Sequence, residues 1–400
     1  MAKPRIIILM HYLELGGAEM ALIGLLCALD PSRVDVDLFI YSHQGPLMKF
    51  IPKWVNLLPE DPAYSVVERP IVETIKKKQY KVALGRLIAK AKHKLFVNYA
   101  KIEGEDASLY SFIGHCLSDV LPNISSNVEY DLCISFLTPH DFGWHKVRAK
   151  RRIAWIHTDY SQMFVNRSLE LNVWGAYDAI ASISDEVTHS FVKAFPSLES
   201  RVIAIENILP ESYVRARADE FNVSEEMTGK VRLLSIGRFC AAKNYDNVPY
   251  IARYMVKLGI QDLKWYIIGF GGDEALIRTK IKETGMEDHV VLLGKKENPY
   301  PYIKACDIYV QPSRYEGKSI TVREAQILCK PVAVTAYPTA PSQIKNGVDG
   351  VIVPLGNEGC ARGLAEFIAD TATQSRIVEY LRTHDYANIS EVEKIYNIIR

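Results

Sequence analysis

Twice along these 400 residues a strand-like run is followed by a glycine turn, and the first is continuously apolar. The first run is Arg5 to His11, followed by Leu15-Gly16-Gly17-Ala18-Glu19 and a segment with Ala18, Leu22, Leu25, Leu26 and Leu29 on one face. The second is Val231 to Ile236, followed by Gly237-Arg238-Phe239. A run that is apolar without alternation reads as a strand buried on both faces, the condition of a parallel sheet. Parallel strands need crossover connections, so strand, turn and helix repeated in this order specify an α/β fold. Further strand-like runs occur at Val34 to Tyr41, Asp131 to Leu137, Arg152 to His157, Ala179 to Ser182, Trp265 to Ile268, His289 to Leu293 and Pro331 to Thr335. A polar, charged stretch from Ser212 to Thr228 separates the two series. A chain of this length has room for two or three domains, and the restart after that stretch predicts two.

Composition excludes several classes. The net charge of +1 favours no polyanionic partner for the protein as a whole. Seven cysteines, at 27, 116, 133, 240, 306, 329 and 360, include no C-x-x-C and mostly sit in apolar surroundings. They read as reduced buried thiols in a reducing cytosol, not as zinc ligands or a disulfide framework. The opening MAKPRIIILMH carries too short an apolar run for a signal peptide, and no later segment approaches the length of a spanning helix. The expected location is cytoplasmic.

The richest stretch is Pro312 to Pro331, PSRYEGKSITVREAQILCKP. The run Asp307 to Val310 leads into it, and an apolar helical pattern, Ile320, Ala325, Ile327 and Leu328, leads out. Glu316 therefore falls on the loop leaving a strand and Glu324 on the following helix. Ligands of open α/β sheets bind beyond the carboxyl ends of the strands, and a helix amino terminus there suits a phosphate. Each carboxylate also has a plain structural reading. Thr321-Val322-Arg323-Glu324 fits a capping box, in which Glu324 only reaches back to a backbone amide. Tyr315-Glu316-Gly317 fits an ordinary exposed turn. Arg238 and Lys243, after the restarted strand, offer a forked donor and a mobile point charge, both suited to a diphosphate.

These motifs together resemble the retaining glycosyltransferases of the GT-B fold, family 4 (glycosyl transferases group 1). The matching positions are Pro312, Ser313, Glu316, Gly317, Glu324, Ala325, Lys330, Pro331 and Val332, with Gly237, Arg238 and Lys243 before them and Gly16-Gly17-Ala18-Glu19 in the first half. Five positions depart from the family pattern: Lys318 stands for an aromatic residue, Ser319 for glycine or proline, Asn244 and Ile208 for glycine, and Gln343 for a nearby glutamate. The resemblance implies two Rossmann-like domains facing across a cleft: 1–208 on the acceptor side, 209–385 binding the nucleotide sugar, and a helix at 386–400 crossing back to the first domain. It implies transfer of a sugar from a UDP- or GDP-sugar to a hydroxyl of a glycan or lipid-linked acceptor, in surface polysaccharide or glycoconjugate synthesis. The anomeric configuration is kept, and neither a metal nor a cofactor is needed. Glu316, His157, Lys243 and Arg238 carry the chemistry in that reading. Gly16, Gly17, Gly317, Lys318, Ser319, Ile320 and Glu324 complete the donor site, with Glu324 on the ribose. The alternatives are a sugar-nucleotide epimerase on a similar fold and a non-catalytic sugar-nucleotide-binding subunit.

Three other features call for a reading. Asp35-Val36-Asp37 has the D-x-D form of a metal-diphosphate motif, but strand alternation places both carboxylates on a solvated face. The turn Gly269-Phe270-Gly271-Gly272 is an incomplete dinucleotide fingerprint without the acidic partner on a following strand, which argues against a nicotinamide cofactor. Residues 74 to 102 hold no Asp or Glu and carry Lys76, Lys77, Lys78, Lys81, Arg86, Lys90, Lys92, Lys94 and Lys101, with Tyr80, Leu84, Leu87, Ile88, Ala91 and Leu95 at helical spacing. This basic amphipathic segment, 76–101, reads either as a solvated helix covering a sheet or as a contact with an anionic membrane surface. No stacking motif or recognised fold supports a nucleic acid.

Overall fold

The computed structural model describes residues 3–100, 105–209, 211–316 and 318–399. Among the described residues the chain forms two large parallel sheets, of seven and six strands. The first contains β1 (Arg5–Met10), β2 (Asp35–Ile40), β3 (Asn56–Leu57), β4 (Tyr130–Ser135), β5 (Ala149–Ile156), β6 (Ala179–Ser182) and β7 (Val202–Ala204), in the order β3-β2-β1-β4-β5-β6-β7. The second contains β8 (Val231–Ile236), β9 (Leu263–Ile268), β10 (Val290–Gly294), β11 (Ile308–Gln311), β12 (Val332–Thr335) and β13 (Val351–Val353), in the order β10-β9-β8-β11-β12-β13. Both sheets thus place their first strand inside, with the second and third on one side and the fourth onward on the other. Ile6 to Met10 of β1 are at most 1% exposed, which is why the sequence shows no alternation there.

The chain divides into two compact units. The first runs to Ile208 and takes the chain up again at Ile389, and the second is Leu209–Asn388. Seven helices enter the argument: α1 (Gly17–Ala28), α2 (Ile71–Lys76), α3 (Tyr80–Tyr99), α4 (Ser108–Leu117), α5 (Tyr300–Ala305), α6 (Ile320–Ile327) and α7 (Val392–Ile399). The last returns to the first unit. There the Tyr396 hydroxyl accepts from the Asp30 amide at 2.8 Å, and Glu393 pairs with Arg33.

Two readings of the sequence change here. Asp37 does not face solvent with Asp35. It lies between Ile7 of β1 and Asn56 of β3 and is only 3% exposed. Arg5 Nη2, Asn56 Nδ2 and the Tyr130 hydroxyl donate to it at 2.8, 2.7 and 2.7 Å. Where both faces of a strand are covered, alternation no longer sorts inside from outside, and three donors make the buried carboxylate tolerable.

The second change concerns α3. The stripe Tyr80, Leu84, Leu87, Ile88, Ala91 and Leu95 is not the face that covers the sheet, for all six residues are exposed. The inward face is Val82, Ala83, Gly85, Arg86 and Ala89. A Cβ on Gly85 would lie 2.7 Å from Leu117 Cδ2, so small residues let α3 approach α4 closely. Arg86 is buried, donating to the Val66 carbonyl at 3.1 Å and to the Arg69 carbonyl, so it is not part of the basic surface. Lys101 lies outside the described residues.

Candidate active site

In the second sheet the connections run outward from β8 to β10 on one side, then resume at β11 on the other. The loops leaving β8 and β11 therefore part, and the space between them is the expected ligand crevice of an open sheet. Lys243 ends a short 3₁₀ turn, Ala241–Lys243, after β8. Its Nζ donates to Oε1 of Glu316, beyond β11, at 2.5 Å. The same oxygen accepts from Ser313 Oγ at 2.6 Å and Gln311 Nε2 at 2.9 Å. Gln311 Oε1 in turn accepts from the Tyr309 hydroxyl at 2.8 Å, and that hydroxyl lies 2.6 Å from Thr321 Oγ1 in the first turn of α6. A continuous polar network so joins the two loops to the helix. The side chains of Lys243 and Glu316 are 19% and 12% exposed, shielded yet reachable by a ligand. No described residue donates to Glu316 Oε2, which leaves a carboxylate oxygen available for a hydroxyl.

The two loops are fixed to one another. The Arg314 guanidinium holds both Asp246 oxygens, at 2.9 and 2.7 Å, a bidentate arrangement of the strong kind. Its amide donates to the Ala242 carbonyl at 2.8 Å. Asn244 explains one departure from the family pattern. Its φ is 60°, a conformation glycine takes freely and Asn tolerates. Its side-chain amide also donates to the Pro312 carbonyl at 2.9 Å, a bond glycine cannot make. Gly269 is required by close approach: a Cβ there would fall 1.9 Å from the Gly237 carbonyl oxygen. That contact sets the loop carrying Arg238 against the turn after β9, with Phe239 N donating to Phe270 O at 2.8 Å. Arg238 itself is exposed.

Helix α6 begins at Ile320, with Ser319 as the preceding cap residue. The capping-box reading fails for that reason: Thr321 lies inside the first turn, and Glu324 points inward at 3% exposure. The Tyr300 hydroxyl of α5 donates to Glu324 Oε1 at 2.7 Å. Burial pushes the Glu324 carboxyl up to about 7, partly offset by that hydrogen bond. Gln343, the other departure, clamps the helix start. Its Oε1 accepts from Ser319 N at 3.0 Å and its Nε2 donates to Ser319 O at 2.7 Å. A glutamate could accept but not donate, so this clamp needs the amide. Lys318 is partly buried, and Gly317 lies outside the described residues.

The remaining predicted residues belong to the first unit. Gly16 precedes α1 and Gly17 opens it. A Cβ on Gly16 would lie 2.2 Å from Glu19 Oε2, so a carboxylate already folds over this positive helix end. His157 follows β5, with its ring 4.7 Å from that of Phe136. Burial pushes its imidazole down to about 3, so it is neutral.

Sequence reasoning missed two neighbours of His157. His11 follows β1, and its Nδ1 is 2.5 Å from Glu68 Oε1. His140 follows β4, with Nδ1 2.8 Å from Ser135 Oγ. Burial, with His11 and His157 nearby, pushes His140 down to about 3. The Nε2 atoms of all three histidines are buried without a hydrogen-bond partner. They are not grouped as metal ligands. A hollow of about 310 Å³ beside His11 is lined by Tyr12, Tyr41, Ser42, Glu68 and Arg69. The usable signal was position: His11 and His157 stand just past the end of a strand, and His140 on the loop that leaves one.

Residues 216–384 match the family described as Glycosyl transferases group 1. Among curated relatives, the lipopolysaccharide core biosynthesis glycosyltransferase LpsE of Rhizobium meliloti is 23% identical over 149 residues, 37% of this chain and 42% of that protein. The N-acetylgalactosamine-N,N'-diacetylbacillosaminyl-diphospho-undecaprenol 4-alpha-N-acetylgalactosaminyltransferase of Campylobacter jejuni is 29% identical over 140 residues, 34% of this chain and 37% of that protein. These matches span about two fifths of the relatives' length. Among solved structures, a mutant TarM of S. aureus, in complex with Fondaparinux, α-GlcNAc-glycerol and UDP, superposes with a TM-score of 0.68 at 13% identity, covering 99% of this chain and 100% of that one. Anabaena HepE in complex with UDP-glucose gives 0.66 at 14% identity, covering 98% and 100%. The likeness over the full length establishes the architecture, and the family match lies in the second unit. The chain has the GT-B fold, and most of its second unit matches the family of glycosyl transferases group 1.

Proposed function

We propose that the protein transfers a sugar from a UDP- or GDP-sugar to a hydroxyl of a glycan or lipid-linked acceptor, in surface polysaccharide or glycoconjugate synthesis. The observation that carries this reading is the Lys243–Glu316 pair at the crevice of the second sheet. One Lys243 hydrogen is engaged by Glu316, and the ammonium has two more for a diphosphate. Arg238, exposed on the adjoining loop, adds a forked donor. Charge that develops on the leaving diphosphate is thereby met by donors already in place. Glu316 Oε2 accepts from a hydroxyl of the donor sugar. Glu324, with Oε1 engaged by Tyr300, offers Oε2 to the ribose. Lys318, Ser319 and Ile320, at the start of α6, line the approach to the phosphates. In the first unit, Gly16 and Gly17 and the neutral His157 complete the proposal.

The chemical step breaks the bond between the anomeric carbon and the diphosphate oxygen and forms one to the acceptor oxygen. The acceptor proton passes to the leaving phosphate on the same face, so configuration is retained and no protein nucleophile or metal is required. The work is done at the cytoplasmic face of a membrane, where lipid-linked acceptors lie.

The test is a thermal-shift screen of UDP- and GDP-sugars against the wild type and Lys243→Ala, followed by transfer assays with the stabilising donor. Stabilisation lost in the variant, a product with the donor's anomeric configuration by NMR, and turnover unaffected by EDTA support the reading. Interconversion of the donor without acceptor replaces it with an epimerase. Donor stabilisation without turnover or interconversion replaces it with a non-catalytic sugar-nucleotide-binding role.

A further inference from the structure

We propose that the outward face of α2 and α3 is a docking surface for an anionic lipid bilayer. Successive helical residues are about 100° apart, so Tyr80, Leu84, Leu87, Ile88, Ala91 and Leu95 fall within one arc of about 100°. That arc points away from the protein: Leu84 is 59% exposed, Leu87 50% and Leu95 62%. Lys90 and Lys94 border it on one side, and Lys81 and Lys92 on the other, all exposed. Tyr80 and Tyr99 stand at the two ends of the helix, both exposed. Helix α2 adds exposed Val72 and Ile75 and leads into exposed Lys76, Lys77 and Lys78.

Ordinary surface helices bury their apolar stripe and expose the polar one. Here the inner face is met by small residues and Arg86, and a second apolar stripe is left outside. Scattered exposed leucines are normal, but a continuous ridge marks an interaction site. The flanking lysines decide among occupants. A second copy of the chain would bring lysine rows against lysine rows. A nucleic acid would leave the apolar ridge unused. An anionic bilayer satisfies both features: the ridge enters the acyl boundary, the lysines reach the headgroups, and tyrosines sit at the interface. No helix among the described residues is long and apolar enough to cross a membrane, so the contact is peripheral. Beside the ridge, between α3 and α4, a hollow of about 420 Å³ is lined by Leu84, Ile88, Lys81 and Lys92 with His115 and Asp119. Its mixed walls give a headgroup a seat next to the inserted side chains. This surface is read from the first unit alone and does not rest on the sugar-transfer reaction.

The test is sedimentation of the full chain with vesicles of phosphatidylcholine alone and of equimolar phosphatidylcholine and phosphatidylglycerol, without donor or acceptor. Two variants are compared with wild type, one with Leu84, Ile88 and Leu95 each changed to Ser, the other with Lys81, Lys90, Lys92 and Lys94 each changed to Gln. All seven side chains are exposed, so thermal melts should match wild type. Wild type should pellet with the phosphatidylglycerol vesicles, release in high salt, and stay in solution with phosphatidylcholine. Each lysine removed should weaken binding about fivefold. The serine variant should lose binding while keeping its charge. Failure of wild type to pellet with phosphatidylglycerol vesicles, or equal pelleting by all three proteins, overturns the proposal. So does a wild-type dimer in lipid-free solution that the serine variant breaks, which would make the ridge an interface between copies.

Discussion

The two units use one strand order and finish it with opposite chemistry. Beyond β8 and β11, charged and polar side chains satisfy one another, with Lys243, Ser313 and Gln311 converging on a single Glu316 oxygen. Beyond β1, β4 and β5, the first unit presents His11, His140 and His157, each with a buried and unpartnered Nε2. The order of strands fixes where a crevice lies, and the loop side chains decide what it can hold. A cation with spare hydrogens suits a diphosphate. The neutral imidazoles of His140 and His157 can exchange single hydrogen bonds with hydroxyls but cannot compensate a phosphate's charge. A buried polar atom without a partner costs about 1–3 kcal/mol, a cost the first crevice carries at three imidazoles and the second at the Tyr245 hydroxyl.

Acidification should separate the units most strongly. His140 and His157 have folded values near 3 instead of the ordinary 6.5. Between those values the unfolded chain binds more protons than the folded one, so stability falls as pH falls. Each histidine contributes up to roughly 5 kcal/mol of that loss. Asp141 opposes them, since burial and Glu170 push its carboxyl up to about 7. Glu170, raised by burial, opposes them too, while His145, lowered by burial, joins them, so the first unit sets three imidazoles against two carboxyls; in the second unit Glu324 gains stability over the same range. Hydrogen exchange at about pH 5 should show residues of the first sheet losing protection before those of the second. Earlier opening of the second sheet would break the comparison.

Ligand binding separates them next. Lys243→Ala should weaken UDP binding on the order of tenfold to a hundredfold, the worth of a charge-assisted hydrogen bond. Glu316→Ala should leave UDP affinity within about twofold and lower turnover on the order of a hundredfold or more, if its free oxygen acts on the sugar alone. Calorimetry and an initial-rate assay on the same preparations read both. Equal effects of the two variants on UDP affinity would merge roles the geometry keeps apart.

Glu324 gives a smaller, pH-dependent effect. Its folded value is raised to about 7, so the neutral form is favoured in the native protein. The stability it confers is complete below the ordinary carboxylate range and is lost as pH rises through about 7. Glu324→Gln can still accept from Tyr300 and should melt like wild type near pH 4. Above about pH 8 it should be more stable, by up to roughly 3 kcal/mol. Ribose hydroxyls that donate to the carboxylate favour its charged form, so wild-type donor affinity should rise with pH across the same range and that of the variant should not. Parallel affinity profiles would remove Glu324 from the ribose.

The smallest effect expected is that of Gln343→Glu. The variant loses the bond to Ser319 O and sets a carboxylate beside a carbonyl, costing about 1–2 kcal/mol in a thermal melt. Unchanged stability would show that the clamp on α6 does not hold the helix start.

Much of this was legible in the chain itself. The unbroken apolar run after Arg5 specifies a parallel strand, because only a strand covered on both faces needs no polar side, and the strand at Val231 is marked by its closing glycine. Where glycine and capping signals are local, the loops around Lys243 and Glu316 and the start of α6 follow within a residue or two. Sequence could not place Asp37 or Glu324, since burial of a carboxylate depends on donors brought from elsewhere: Tyr130 to Asp37 and Tyr300 to Glu324.

Sequence by itself determined two α/β units, the strands that build them and the loops that carry reactive side chains, because those follow from periodicity and turn chemistry over short spans. Only the tertiary structure decided that Lys243 meets Glu316, 73 residues away, and that Gln343 grips a helix start 24 residues before it. It also decided which side of α3 is in. A 3.6-residue period tells which residues share a face, and α3 has two apolar faces to choose from. Close packing of Gly85 against Leu117 and the anchoring of Arg86 on loop carbonyls chose the face of small residues, and left the leucines and lysines outside.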